Sequence, residues 1–293
     1  MAQTVWTILA LIRWADERFK KEGLASPRLD AEVLLAETLG KDRLGLYTHF
    51  DQPLHPEELA RFKKFLLRRL RREPTAYILG RREFWSLPFK VTPDVLIPRP
   101  ETEILVSEAL EILAHLDEKA PRILEIGTGS GAISVSLARE LPAASIVATD
   151  LSAKALSVAG ENALKNGVQE RVKFLQGDLF RPLEKGERFN LIVTNPPYIP
   201  RRQFSSLMPE VRDFEPRIAL DGGLDGLDFF RRVLPAVGGF LQAEGWFLAE
   251  MGEGQDQEIL KIAEKNSDLD GFDFARDLAG IKRVFKARKK RNA

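Results

Sequence analysis

The chain has 293 residues, 44% of them hydrophobic, with no cysteine and three scattered histidines, His49, His55 and His115. That length and apolar content predict two domains, one large and one small, and the residue types exclude disulfides, thiolate metal sites and cysteine nucleophiles and leave little for a histidine metal cluster. With 44 basic against 43 acidic residues the formal net charge is only +1, which is not the footprint of a protein whose main ligand is duplex nucleic acid.

The chain opens on an amphipathic pattern in which Val5, Ile8, Leu9, Ile12 and Ala15 recur at three- and four-residue spacing, predicting a helix. Arg13 and Asp16 interrupt it, so it does not read as a signal peptide, and no run approaches the roughly 18 apolar residues that span a bilayer. No membrane segment and a cytoplasmic location are the expectation. "SPRLDAEVLLAETLG" then offers Ser26 as N-cap, Pro27 at the first helical position and Gly40 as a stop. In "HPEELARFKKFLLRRLRRE" Leu59, Phe62, Leu66 and Leu70 form one stripe, while Arg61, Lys63, Lys64, Arg68, Arg69, Arg71 and Arg72 crowd the other sides. That charge run reads either as a solvated helix face or as a docking surface for an acidic partner. Residues 1–75 thus predict a small helical bundle.

From residue 76 aromatic and β-branched residues alternate between Pro and Gly breaks, which predicts a β-hairpin linker over 76–97. The larger domain, 98–293, begins with "PRPETE". Glu101 and Glu103 there are either catalytic carboxylates or the acidic first turn of a helix after Pro100, and Pro98 to Thr102 is expected to form a lid over one end of a bound ligand. Strand and helix patterns then alternate: strands at 122–127, 145–150, 172–178, 189–195, 245–251, 271–277 and 282–288, with helices from about 131, 153, 225 and 255. The alternation predicts an α/β fold with a mostly parallel sheet, helices on both faces and ligands at the carboxyl ends of the strands. The basic end "KARKKRNA" reads as a solvated tail.

Four strand ends carry the chemistry. The first, "EIGTGSGA", sets Gly127, Gly129 and Gly131 in a tight turn that lets a ligand approach the backbone. The second ends in Asp150, suited to accepting hydrogen bonds from two ribose hydroxyls. Together they suggest an adenosine-containing cofactor, although the G-x-G-x-x-A pattern over 127–132 also fits a dinucleotide-binding turn. The third supplies Asp178, able to bond an adenine amino group, with Leu179 against the ring. The fourth is "NPPY". Two prolines fix two φ angles and remove two donors, so the segment is rigid. Asn195 offers a side-chain carbonyl and Pro196 a backbone carbonyl to the two hydrogens of a planar NH2 group, while Tyr198 offers an aromatic face.

With strand-GTGSG, Asp150 and NPPY in order, the sequence resembles the class I S-adenosylmethionine-dependent methyltransferases that modify nitrogen conjugated to a π system. Over essentially its whole length, through "GRREFWSLPFKVTPDVLIPRPETE" to "NPPYIP", it is similar to the release factor glutamine N5-methyltransferases. The resemblance implies a Rossmann-like seven-stranded catalytic domain behind a helical substrate-recognition domain. It implies methylation of the glutamine in the Gly-Gly-Gln loop of peptide chain release factors, with S-adenosyl-L-methionine as cofactor and S-adenosyl-L-homocysteine as product. By position it implies cofactor contacts from Gly127, Thr128, Gly129, Ser130, Gly131, Asp150, Leu179 and Asn195, and glutamine contacts from Asn195, Pro196, Pro197 and Tyr198. No metal and no direct nucleic-acid binding are expected. The rival is an exocyclic-amine methyltransferase acting on adenine or guanine, since NPPY chemistry suits an extruded base equally well. A noncatalytic helical adaptor would be expected to lose the quartet.

Overall fold

The computed structural model describes residues 5–116 and 118–291, and the chain divides into two compact units. The first comprises residues 1–80 together with Met208–Phe214. Its helices start and stop for local reasons. Thr7 caps α1 (Ile8–Lys21) by accepting from the Ala10 N–H, Pro27 opens α2 (Pro27–Leu39), and Asp42 caps α3 (Arg43–Thr48). A capping box of His55 and Glu58 begins α4 (Pro56–Leu70), and Gly80, at φ 70°, ends α5 (Thr75–Leu79). The apolar stripes of α1, α2 and α4 meet in one cluster built from Ile8, Ile12, Phe19, Leu34, Phe62 and Leu66, while Val5, which shares the α1 period, is exposed. Ile78 joins the same cluster, so this unit runs through α5 to Gly80, past the residue 75 expected from sequence.

The α4 charge run does not all face solvent. Arg61, Lys63, Lys64 and Arg71 are exposed, but Arg69 is buried. Its Nε donates to Asp30 Oδ2 at 2.8 Å, its Nη2 to Glu210 Oε1 at 3.0 Å and its Nη1 to the Glu73 carbonyl. Arg72 shares Glu210, and Arg68 pairs with Glu73. For these three arginines, both sequence readings of the run give way to ion pairs inside the helical unit.

The second unit, residues 81–207 and 215–293, begins with the hairpin β1 (Arg81–Phe84) and β2 (Leu87–Lys90). Trp85 and Ser86 both take positive φ, 52° and 54°, the conformation a two-residue hairpin turn needs for its twist to match the strands. After a short 3-10 turn (Pro100–Thr102) come α6 (Glu103–His115), β3 (Arg122–Ile126), α7 (Ala132–Glu140), β4 (Ser145–Asp150), α8 (Ala153–Lys165), β5 (Val172–Gln176) and β6 (Phe189–Thr194). They are followed by α9 (Asp228–Val237), β7 (Leu241–Glu250), α10 (Asp256–Ala263), β8 (Leu269–Arg276) and β9 (Lys282–Lys289).

Among the described residues these strands form a seven-stranded sheet in the order β5-β4-β3-β6-β7-β9-β8. Pairing is parallel from β5 to β7 and antiparallel for β9 with β7 and β8. Period-two alternation sends Ile123, Ile146 and Leu191 to a core shared with α6, α7 and α8, and Leu124, Val147 and Ile192 to one shared with α9 and α10. The chain order reverses at β3, so the crevice at the carboxyl ends of β3, β4 and β6 is where this topology binds ligands. The basic tail is less free than expected: β9 runs through Lys289, Ala287 is buried, and Lys286 pairs with Glu108 and Asp273. Its last two residues, 292–293, lie outside the described part. No helix among the described residues is long and apolar enough to cross a membrane.

Candidate active site

At that crevice lies a cavity of about 390 Å³. The turn after β3 supplies one wall: Gly127 and Gly129 take φ of 73° and 56°, and a Cβ at either would meet no protein atom within 4 Å, so both backbones are bare toward whatever enters. Asp150, at the end of β4, ties this turn down. Its Oδ2 accepts the Gly129 N–H at 2.9 Å and its Oδ1 the Ser152 N–H at 2.8 Å. Burial pushes its carboxyl pKa up, and these backbone bonds pull against the shift. Beneath the turn Glu125 Oε2 accepts from Thr128 Oγ1 at 2.6 Å and from the Ser134 N–H at 3.1 Å. Beyond β5, Asp178 Oδ2 accepts from Arg232 at 2.6 Å, and Leu179 takes φ 54°.

The NPPY segment, which follows β6, is held from three directions. Gly222 and Gly226 lie so close that a Cβ at Gly226 would stand 2.3 Å from the Tyr198 carbonyl oxygen. Ile199 exchanges backbone bonds with Leu220 and Gly222, and Gln255 Nε2 donates to the Tyr198 carbonyl at 3.0 Å. From the third side Asn195 Nδ2 donates to Thr102 Oγ1 at 3.0 Å, Thr102 Oγ1 donates to Glu250 Oε2 at 2.6 Å, and the Tyr198 hydroxyl donates to Glu250 Oε1 at 3.2 Å. Burial pushes the Glu250 carboxyl up against the pull of these two hydroxyls. Burial, reinforced by Glu250, also pushes the Tyr198 hydroxyl up from its ordinary range, so it stays protonated.

Two family models match the chain, "PrmC N-terminal domain" over residues 10–80 and "Methyltransferase small domain" over 106–209. The release factor glutamine methyltransferase of Geobacter sulfurreducens is 46% identical over 280 residues, covering 96% of each chain. This chain belongs to the release factor glutamine methyltransferase family. The member from Rhodopirellula baltica is 40% identical, covering 98% of this chain and 97% of its own. Among solved structures, the hMettl16 catalytic domain matches with a TM-score of 0.56 at 16% identity, covering 80% of this chain and 82% of that one. The human methyltransferase 10 domain containing protein gives 0.51 at 17%, covering 72% and 91%. At these identities the two share the class I methyltransferase fold and nothing narrower.

Of the residues singled out by sequence, Gly127, Thr128, Gly129, Ser130, Asp150, Asp178, Leu179, Asn195 and Pro197 line this methyltransferase's cavity. Gly131, Pro196 and Tyr198 do not. Gly131 instead heads α7, where a Cβ would press 3.2 Å from that of Ala159, so its smallness serves helix packing. Tyr198 spends its hydroxyl on Glu250. Glu101 and Glu103 are absent from the lining, and Glu103 Oε1 accepts the Trp85 N–H at 2.7 Å, which anchors the hairpin. Pro98, Arg99 and Thr102 do line the wall, in a segment pinned by Arg99 on the buried Glu215 and by Thr102 on Glu250.

Sequence reading missed Glu125, Glu250 and Phe229. The first two had a signal, a carboxylate inside an otherwise apolar strand; Phe229 had none, since only the fold brings α9 to the cavity, where it adds an aromatic ring to the lining. Glu125 Oε1 and Asp178 Oδ1 are buried and take no hydrogen bond from described residues. With the bare glycine turn, this acceptor-rich lining suits a ligand carrying hydroxyl and amino donors, as S-adenosylmethionine does. No group of acidic or histidine side chains that could hold a metal occurs among the described residues.

Two expected results arise from the turn. Burial raises the Glu125 pKa from 4.5 to about 7, so the folded chain holds this proton more tightly than the unfolded one. Its contribution to stability is full below pH 4.5 and is lost as pH rises to about 7. Glu125→Gln keeps the shape and cannot titrate. The difference in urea-unfolding free energy between variant and parent should therefore shift in the variant's favour across that window and flatten above it; a pH-independent difference would contradict the assignment. Asp150→Ala, losing acceptors for the ligand and the anchor of Gly129, should weaken S-adenosylmethionine binding by about 1.5–3 kcal/mol in calorimetry. Unchanged affinity would remove Asp150 from the site.

Proposed function

We propose that this methyltransferase modifies the side-chain amide nitrogen, N5, of the glutamine in the Gly-Gly-Gln motif of peptide chain release factors, with S-adenosyl-L-methionine as methyl donor. The observation that carries the reading is the convergence of the Gly127–Ser130 turn, Asp150 and Asn195 on one cavity, in a chain related over 96% of its length to a release factor glutamine methyltransferase. The turn and Asp150 would hold the cofactor, with Asp178, Leu179 and Phe229 at its adenine. When bound, the cofactor supplies an electrophilic methyl group.

An amide nitrogen is a poor nucleophile because its lone pair is delocalised, and its N–H is too weakly acidic for a side-chain base to remove near neutrality. Orientation therefore does most of the work. The Asn195 carbonyl, with the Pro196 carbonyl as second acceptor, grips the two N–H bonds, enriches the nitrogen and holds its lone pair in line. Positioning of this kind can lower a barrier by roughly 7–11 kcal/mol. The nitrogen, cationic once methylated, then gives up its proton to solvent, and the donor would depart as the neutral thioether S-adenosyl-L-homocysteine. The rigid prolines and the glycine contacts behind Tyr198 keep the acceptors still while this happens. The helical unit would recognise the substrate protein, through the exposed members of the α4 charge run, and the reaction belongs to translation termination in the cytoplasm.

The test is methyl transfer from labelled cofactor. A release factor should accept label, a variant with Glu for the Gly-Gly-Gln glutamine should accept none, and DNA and RNA should accept none. Label on nucleic acid at a comparable rate, or on the Glu variant, would overturn the glutamine assignment in favour of exocyclic-amine chemistry.

A further inference from the structure

Asn195 can use its side chain in two ways. Its carbonyl oxygen accepts hydrogen bonds and its NH2 group donates them, and the two ends have nearly the same shape, so packing alone does not choose which end faces a substrate. Only the acceptor end is productive toward an incoming NH2 group; the donor end would oppose N–H to N–H.

The choice is made one and two hydrogen bonds away. Thr102, on the 3-10 turn before α6, and Glu250, at the end of β7, are 4% and 2% exposed. Thr102 Oγ1 has one hydrogen, and it points to Glu250 Oε2 at 2.6 Å. The other Glu250 oxygen accepts from the Tyr198 hydroxyl at 3.2 Å. Two hydroxyl donors on the two oxygens of one carboxylate leave that carboxylate as acceptor only. Thr102, having given its hydrogen to Glu250, can only accept from Asn195, and Asn195 meets it with Nδ2 at 3.0 Å. What remains to Asn195 at the cavity is Oδ1.

We infer that Glu250 and Thr102 are positioning residues that set the polarity of the Asn195 amide, so that its carbonyl rather than its NH2 meets the nitrogen to be methylated. The inference rests on the proposed role of Asn195 as substrate acceptor. It also accounts for a buried carboxyl group that does not line the cavity: its two oxygens order a chain of hydrogen bonds, and Tyr198 is held by the same group.

The experiment uses the full chain, labelled cofactor and a release factor. Glu250→Gln can donate to Thr102 through its NH2, which lets the Thr102 hydrogen turn to Asn195 and the amide reverse. It should lower kcat by roughly tenfold or more, with KM for the release factor changed much less and cofactor affinity unchanged. Thr102→Val, close in shape and without the hydroxyl, should lower kcat similarly, and Thr102→Ser should restore it. The double variant Thr102→Val/Glu250→Gln should be no slower than the worse single one, because one chain is broken in both. Parental kcat in Glu250→Gln overturns the inference, as does a Thr102→Ser variant as slow as Thr102→Val, which would mean that the methyl group and not the hydroxyl matters. If Glu250→Gln does not fold, the Thr102 pair decides alone. Asn195→Ala separates the two levels: an inactive Asn195→Ala beside a fully active Glu250→Gln removes only the polarity argument, whereas an active Asn195→Ala removes the acceptor role beneath it.

Discussion

Replacing Asn195 by alanine is expected to lower kcat for release-factor methylation by roughly 10² or more at saturating cofactor, since small misplacements at a reacting centre cost that much. The side chain is fixed before any substrate arrives: its Nδ2 is bonded to Thr102, and the backbone after it is stiffened by two prolines and held at Tyr198 by Gly222, Gly226 and Gln255. Alanine removes one of two proposed acceptors and frees the substrate NH2 to rotate, yet leaves that backbone in place. The loss should therefore fall on kcat and not on folding. Cofactor affinity is measured separately, because Asn195 lines the cavity. A kcat within a few-fold of the parent, with cofactor saturating, would show that the carbonyl of this residue does not orient the nitrogen.

Much of this site was legible because strand ends are short and chemically marked. Gly127, Gly129, Asp150 and Asn195 each follow an apolar run, and a parallel sheet brings successive carboxyl ends to one edge whatever the intervening helices contain. The alternation of strands and helices gave the sheet for the same reason. Hydrogen-bond partners far apart in sequence were not legible. Thr102 and Glu250 are 148 residues apart, and nothing local to either says that they meet. Glycine was ambiguous too: Gly129 and Gly131 stand two residues apart in one motif, but one is bare toward the cavity and the other packs on Ala159. Tyr198 showed a ring in sequence, whereas in the fold its hydroxyl is engaged with Glu250. The α4 charge run failed in another way, because helical periodicity sorts residues by face but cannot tell which arginines find a carboxylate from elsewhere in the chain.

Arg69 is the clearest case, and Arg69→Met is expected to destabilise the helical unit by about 3–5 kcal/mol, the cost of removing one partner from a buried ion pair. Arg69 is 5% exposed and its guanidinium serves three acceptors, Asp30, Glu210 and the Glu73 carbonyl. Methionine fills similar space but takes one partner from Asp30, which keeps the Thr75 hydroxyl, and one from Glu210, which keeps Arg72. Most of the loss should come from Asp30, a largely buried carboxylate deprived of the cation that Arg69 supplied. Adding Asp30→Asn should therefore recover part of it, since one stranded charge is then gone. Arg61→Met, on the exposed side of the same helix, is the control and should change stability by less than about 0.5 kcal/mol. Urea unfolding followed by circular dichroism reads all three. A loss for Arg69→Met below about 1 kcal/mol would equate it with an ordinary surface pair and return the residue to the solvated face that its sequence neighbourhood suggests.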